Sequence, residues 1–274
     1  MVVAHSRARK DVEKIVNEEN LVVVEEKEGY AVLRINRPDK RNAMNKAARI
    51  AMLEAMEALK GRFGVIVLTG TDVSFCAGLD LKEASADREA GVEADPATSW
   101  QAVNVAIRAH PAVFIAAVNG LALGGGVTLI NVCDLAVASE RASMGMPEMG
   151  FATYPGLAGP STQYSLTRKR HAWMMFTTER IDGATAERWG LVNKVVPHDQ
   201  LLPEAEVIAA KIGQFNQTAL TISKGAMDQI PVEIDWDGAF NFGIGKIDEI
   251  NRLTAAGSEG LARFSKGERL VGQG

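Results

Sequence analysis

The ten residues Asn119-Gly120-Leu121-Ala122-Leu123-Gly124-Gly125-Gly126-Val127-Thr128 constrain this chain more than any other stretch. They follow an apolar run over residues 113–118 and lead into a second one over residues 129–138. Three consecutive glycines cannot be there for packing volume, so they mark a place where another group approaches the backbone closely. If Gly125 opens a helix, its N–H is one of the unpaired donors of a helix start, and the dipole adds positive potential at the same spot. A carbonyl oxygen suits that corner, and one such donor is half of an oxyanion hole.

A second glycine turn, Ala77-Gly78-Leu79, follows the β-branched run of residues 64–70. That run reads as a strand buried on both faces of a parallel sheet. Ends of parallel strands are where open α/β sheets bind ligands. The N–H groups of Leu79 and Gly125 could therefore converge on one oxygen and stabilise an enolate or a tetrahedral oxyanion. Residues 21–26 and 30–35 read as a β-hairpin, and Ala48, Met52, Met56 and Leu59 recur at helical spacing within residues 45–60. Residues 84–99, polar and rich in Ala, Asp and Glu, read as a mobile surface loop. Helices are expected over residues 100–109, 157–166, 170–177, 185–189 and 203–215, and through most of residues 219–264. The rhythm is β-α with a helical tail. It divides the chain into an N-terminal arm over residues 1–20, a core over residues 21–200 and a helical region over residues 201–274.

A chain of 274 residues buries a large core. A formal net charge of −4 and a pI near 5.7 argue against nucleic acid or an anionic membrane as the main partner. Cys76 and Cys133 lie in apolar segments rather than at disulfide-scaffold spacing, and the start does not read as a signal peptide, so a reducing cytoplasm is the simplest compartment. No apolar run approaches the ~20 residues that span a bilayer. His5, His110, His171 and His198 show no metal-ligand spacing, and no metal is expected. A dinucleotide oxidoreductase would need GxGxxG, but Leu129 stands at the third glycine position; a serine hydrolase would need GxSxG, which does not occur.

Asn36-Arg37-Pro38 with Asn42-Ala43, the run Phe75 to Glu83, Asn119-Gly120 to Gly126, Cys133-Asp134, Pro147-Glu148 and Pro155-Gly156 resemble, in this order and spacing, the crotonase or enoyl-CoA hydratase/isomerase superfamily. Residues 183–196 and 259–264 extend the resemblance over about residues 20–266. It implies an α/β fold, a spiral of ββα units with a C-terminal helical trimerisation region. It also implies a homo-oligomer, a trimer or dimer of trimers, and acyl-CoA thioesters as substrates, with no cofactor beyond the coenzyme A of the thioester. By position, Leu79 and Gly125 supply the oxyanion-hole amides. Lys40, Arg41, Ala43, Ala77, Asp80, Leu81, Lys82 and Gly124 fall where the resemblance puts coenzyme A contacts, and Phe264 matches an aromatic that can reach coenzyme A on a neighbouring subunit.

Hydratases of this superfamily carry two glutamates that hold and activate water. Glu148 matches one, and the other position holds Thr128, which cannot accept a proton at neutral pH. A single carboxylate suffices to shuttle a proton between the α and γ carbons. The expected chemistry is thus isomerisation or hydration of an enoyl-CoA with Glu148 as acid/base, its pKa raised by the apolar neighbours Met146, Met149 and Phe151. Two alternatives stand beside it: a hydratase/lyase acting on an aryl-propenoyl-CoA, suggested by Thr128 and Trp100-Gln101, and a non-catalytic binding protein of the same fold.

Overall fold

The computed structural model describes residues 21–230 and 236–255, with residues 259, 262, 263 and 266. Among these, ten strands form two sheets: β1 (Val22–Glu26), β2 (Ala31–Ile35), β3 (Val65–Gly70), β4 (Ser74–Cys76), β5 (Val113–Val118), β6 (Leu121–Leu123), β7 (Leu135–Ser139), β8 (Ser143–Gly145), β9 (Ile181–Asp182) and β10 (Lys194–Val196). The larger sheet has the order β1-β2-β3-β5-β7-β10 and is parallel except for the β1-β2 hairpin. The smaller has the order β4-β6-β8-β9, in which β4, β6 and β8 run parallel.

Ten helices connect and cover them: α1 (Lys46–Leu59), α2 (Leu81–Glu89), α3 (Trp100–Ala109), α4 (Gly125–Val132), α5 (Ala158–Ser165), α6 (Arg168–Thr177), α7 (Gly183–Trp189), α8 (Leu201–Ile212), α9 (Gln217–Gln229) and α10 (Trp236–Leu253). The expected stripe of α1, Ala48, Met52, Met56 and Leu59, is buried, and Asn45 caps the helix by accepting the Ala48 N–H at 3.0 Å. Burial of each large side chain of that stripe contributes ~1.5–3 kcal/mol. One face of the larger sheet packs on the helices of the spiral, while Leu201, Ala205 and Ala209 of α8 close the other face against Val32, Val67, Ile115, Ala117 and Val137. The start of the helical region thus completes the sheet's core. No helix among the described residues is long and apolar enough to cross a membrane.

Two local expectations are corrected. The loop expected over residues 84–99 begins as α2 and ends in a 3-10 turn at Pro96–Thr98, whose first N–H groups are met by Asp95. No residue of α2 is buried, so it carries no apolar periodicity to read. The smaller sheet was not anticipated, because strands of two or three residues are too short to show alternation.

Candidate active site

The smaller sheet brings the site together. β4, β6 and β8 are parallel neighbours, with Cys76 opposite Ala122 and Leu123 opposite Gly145. Three chain segments therefore leave at the same carboxyl edge: Ala77-Gly78-Leu79 after β4, Gly124-Gly125 after β6, and Met146-Pro147-Glu148 after β8. Residues more than 20 positions apart in the chain become neighbours because three short strands end in register.

At that edge the two glycine turns touch. Gly78 has φ +88°, and a Cβ there would lie 2.8 Å from the Leu123 carbonyl oxygen and 3.0 Å from the Gly125 amide nitrogen. Only glycine allows this approach, and it brings the turn that precedes Leu79 against the Gly125 amide nitrogen. Gly125 begins α4, as expected, and Gly124 ties that corner to β8 through its N–H to the Gly145 carbonyl at 2.9 Å. Among the described residues, neither the Leu79 nor the Gly125 N–H donates to a protein acceptor. Both donors are therefore open to an acceptor from outside the described residues.

Glu148 opens a 3-10 turn at Glu148–Phe151, and its side chain lies against Gly124, where a Cβ would be 2.5 Å from Oε1. Gly124 has φ +50°, so both space and conformation call for glycine. Burial pushes the Glu148 pKa above the usual carboxylate range, opposed by a backbone N–H. Its Oε2 is buried without a hydrogen-bond partner. The apolar setting is not the one expected from sequence: Met146 is buried, but Met149 and Phe151 are 40% and 65% exposed. The 3-10 turn directs those two side chains outward. Thr128 is 2% exposed on the first turn of α4, with its N–H bonded to the Gly124 carbonyl at 3.1 Å and its Oγ1 unpaired. Trp100, at the start of α3, packs its indole nitrogen on Gly125.

The loop carrying Lys40, Arg41 and Ala43 is stitched to the Leu79 turn. Ala77 N–H donates to the Arg41 carbonyl at 3.0 Å, Met44 N–H to the Gly78 carbonyl at 2.8 Å, and Asp80 N–H to the Met44 carbonyl at 3.2 Å. Lys40, Arg41, Leu81 and Lys82 are exposed, while Ala43 and Ala77 are half-buried beside them. Among the described residues Lys40, Arg41 and Lys82 form no ion pair, and exposed cations of this kind suit an anionic group. The Asp80 carboxylate is occupied by the Arg37 guanidinium at 3.2 Å. Phe264 lies outside the described residues.

Sequence reading missed the brace beneath this loop. Asn42 is fully buried at φ +57°; its Nδ2 donates to the Thr71 and Ser74 carbonyls at 2.9 and 2.6 Å, and its Oδ1 accepts the Arg37 N–H at 2.8 Å. Nothing in a polar, proline-broken loop marks one asparagine as internal. Asn42→Ala is expected to cost about 3 kcal/mol in urea unfolding, because the Arg37 N–H and the Thr71 carbonyl lose this partner and the Ser74 carbonyl is left with Asn119 Nδ2.

The enoyl-CoA hydratase/isomerase family model matches residues 25–232. A crotonyl-CoA hydratase from Syntrophomonas wolfei is 37% identical over 217 residues, covering 76% of this chain and 81% of that protein. A hydroxycinnamoyl-CoA hydratase-lyase from Pseudomonas fluorescens is 30% identical over 254 residues, covering 89% and 91%. The crystal structure of an enoyl-CoA hydratase from Bacillus anthracis superposes with a TM-score of 0.83 at 25% identity, covering 93% of this chain and all of that one. By a family match across most of its length, and with a fold to agree, this chain belongs to the enoyl-CoA hydratase/isomerase family.

Proposed function

We propose that the protein binds an enoyl-CoA with its thioester oxygen between the Leu79 and Gly125 amides, and that Glu148 moves the proton that shifts or hydrates the double bond. The observation that carries this reading is the pair of unsatisfied amides next to an unpaired, partly desolvated carboxyl. The two donors stabilise the enolate and so acidify the α-carbon; each is worth ~10² to 10³ in rate. Lys40, Arg41 and Lys82 meet the coenzyme A phosphates. No metal or cofactor beyond coenzyme A takes part. Thr128 holds no proton-accepting role.

Exchange of the α-proton of a saturated acyl-CoA in deuterated water tests the core of this reading, and its absence would refute it. Product analysis with 2-enoyl-, 3-enoyl- and aryl-propenoyl-CoA then separates isomerase from hydratase. A second reading, hydration followed by carbon–carbon cleavage of an aromatic propenoyl-CoA, is favoured by the near-complete coverage of the hydroxycinnamoyl-CoA relative. Release of an aldehyde from the aryl substrate would establish it.

The pH profile follows from Glu148. As base it must be ionised, and burial raises its pKa. The acid limb of α-proton exchange is therefore expected at a pH above that of an ordinary glutamate, falling as pH drops through the raised pKa.

We also propose a homo-oligomer, a trimer or dimer of trimers, built through the C-terminal helices. Met227 on α9, Ile230 just past its end, and Ile244, Ile247 and Leu253 on α10 are exposed, which supports it. Sedimentation gives the mass directly. The free, buried thiols of Cys76 and Cys133 fit the cytoplasm, where nothing forces them to oxidise.

A further inference from the structure

Three polar side-chain atoms around the Gly124-Gly125 corner are buried without a hydrogen-bond partner: Trp100 Nε1, Thr128 Oγ1 and Glu148 Oε2. A carboxylate and a hydroxyl are ordinary equipment for an acid/base site, but an indole N–H is not. Trp100 is 8% exposed, and a wall position would be served as well by phenylalanine. Leaving its donor unmet costs a folded protein stability, so the donor calls for an acceptor that arrives with a ligand.

Geometry indicates which acceptor. A Cβ on Gly125 would lie 2.3 Å from Trp100 Nε1, so the indole nitrogen rests on the very Cα whose amide faces the thioester. Glu148 Oε1 rests equally close on the adjacent Gly124, and Thr128 follows one helical turn later. The thioester oxygen already has two donors, the Leu79 and Gly125 amides. The indole is left for a second oxygen.

We propose that Trp100 Nε1–H, together with the Thr128 hydroxyl, holds the oxygen that is added to or removed from C3 of the acyl group, the place where a second carboxylate would otherwise act. This rests on the acyl-CoA reading above and selects hydration over isomerisation. In the step, a water oxygen bonds to C3 and the C2=C3 electron pair moves onto C2 as the thioester enolate. The water's proton passes to the Glu148 carboxylate and then to C2, so that one water is consumed and Glu148 is regenerated. Dehydration runs the same path backward. Indole has only a donor to offer, so Trp100 orients the oxygen's lone pair toward C3 and leaves every proton to Glu148.

The test compares the wild-type protein with Trp100→Phe, which removes the N–H and keeps an aromatic ring. Two rates are measured, dehydration of 3-hydroxybutyryl-CoA and α-proton exchange of butyryl-CoA, which has no oxygen on C3. The ratio of dehydration to exchange is expected to fall ~10-fold in Trp100→Phe, about the worth of one hydrogen bond. In a Glu148→Gln background, where turnover is slow, calorimetry should show 3-hydroxybutyryl-CoA binding several-fold tighter than butyryl-CoA, and Trp100→Phe should erase that preference. Thr128→Val should shift both readouts the same way, which covers a Trp100 variant that fails to fold. An unchanged ratio and preference in both variants would overturn the proposal, as would a wild-type protein that exchanges the α-proton but never interconverts 3-hydroxyacyl- and enoyl-CoA. Absence of α-proton exchange in the wild type would instead overturn the underlying acyl-CoA reading.

Discussion

Glu148→Gln is expected to lower α-proton exchange and turnover by ~10² to 10⁴, the range for removing a positioned general acid/base. The substitution keeps the side chain's size against Gly124 and removes only its capacity to carry a proton. Binding of the thioester should persist, since the Leu79 and Gly125 amides and the rim cations are untouched. The loss should therefore appear in kcat with KM little changed. Stability should move the other way. Burial favours the protonated carboxyl, so between the ordinary glutamate pKa and the raised one the native state holds a proton that the unfolded chain has released. Stability then falls as pH rises through that window, and Glu148→Gln, which has no proton to lose, should gain in Tm over wild type above it. Full activity in Glu148→Gln, or a melting difference that grows toward acid, would contradict this account of the site.

Lys224→Met is expected to destabilise the protein by ~3 to 5 kcal/mol, as does breaking a buried ion pair from one side. Lys224 on α9 is 5% exposed, and its Nζ lies 2.9 Å from the Asp134 carboxylate, 3.0 Å from the Ile107 carbonyl and 2.8 Å from the Ala112 carbonyl. The Asp134 carboxylate in turn accepts the Phe114 N–H at 2.8 Å. One ammonium thus fastens a C-terminal helix to the end of α3 and the first residues of β5. Removing it leaves a carboxylate with 12% side-chain exposure without its cation, takes this donor from the Ala112 carbonyl and leaves the Ile107 carbonyl with the His110 N–H at 3.4 Å. Denaturant titration at fixed protein concentration measures the effect, and the concentration must be fixed because assembly adds to apparent stability. The double substitution Lys224→Met with Asp134→Asn should recover part of the loss, since no uncompensated charge remains. Recovery of nothing would mean that packing of the lysine stem dominates the pair.

Such a lysine shows how far a linear reading reaches. In sequence, Lys224 is one cation in a helical tail, and its partner is 90 positions away in the Cys133-Asp134 pair. The glycine turns were legible because a missing side chain is itself a local statement: Gly78 and Gly124 take left-handed conformations that other residues adopt only under strain. Gly125 as a helix start was legible for a related reason, since an apolar helical segment follows it directly. The stripe of α1 and the buried β3 run carried their own periodicities. By contrast α2 buries nothing, and β4, β6 and β8 are three residues each, so no pattern could declare them.

The sequence by itself determined the α/β rhythm and the two glycine corners, because backbone freedom and apolar period are properties of neighbours in the chain. Only the tertiary structure decided that the two corners meet, that Met149 and Phe151 turn outward while Glu148 lies on Gly124, and that Asn42, Lys224 and the Trp100 nitrogen are internal. Burial and hydrogen bonding depend on which distant segments share a volume. That is fixed by strand register and helix packing, and no local stretch encodes it alone.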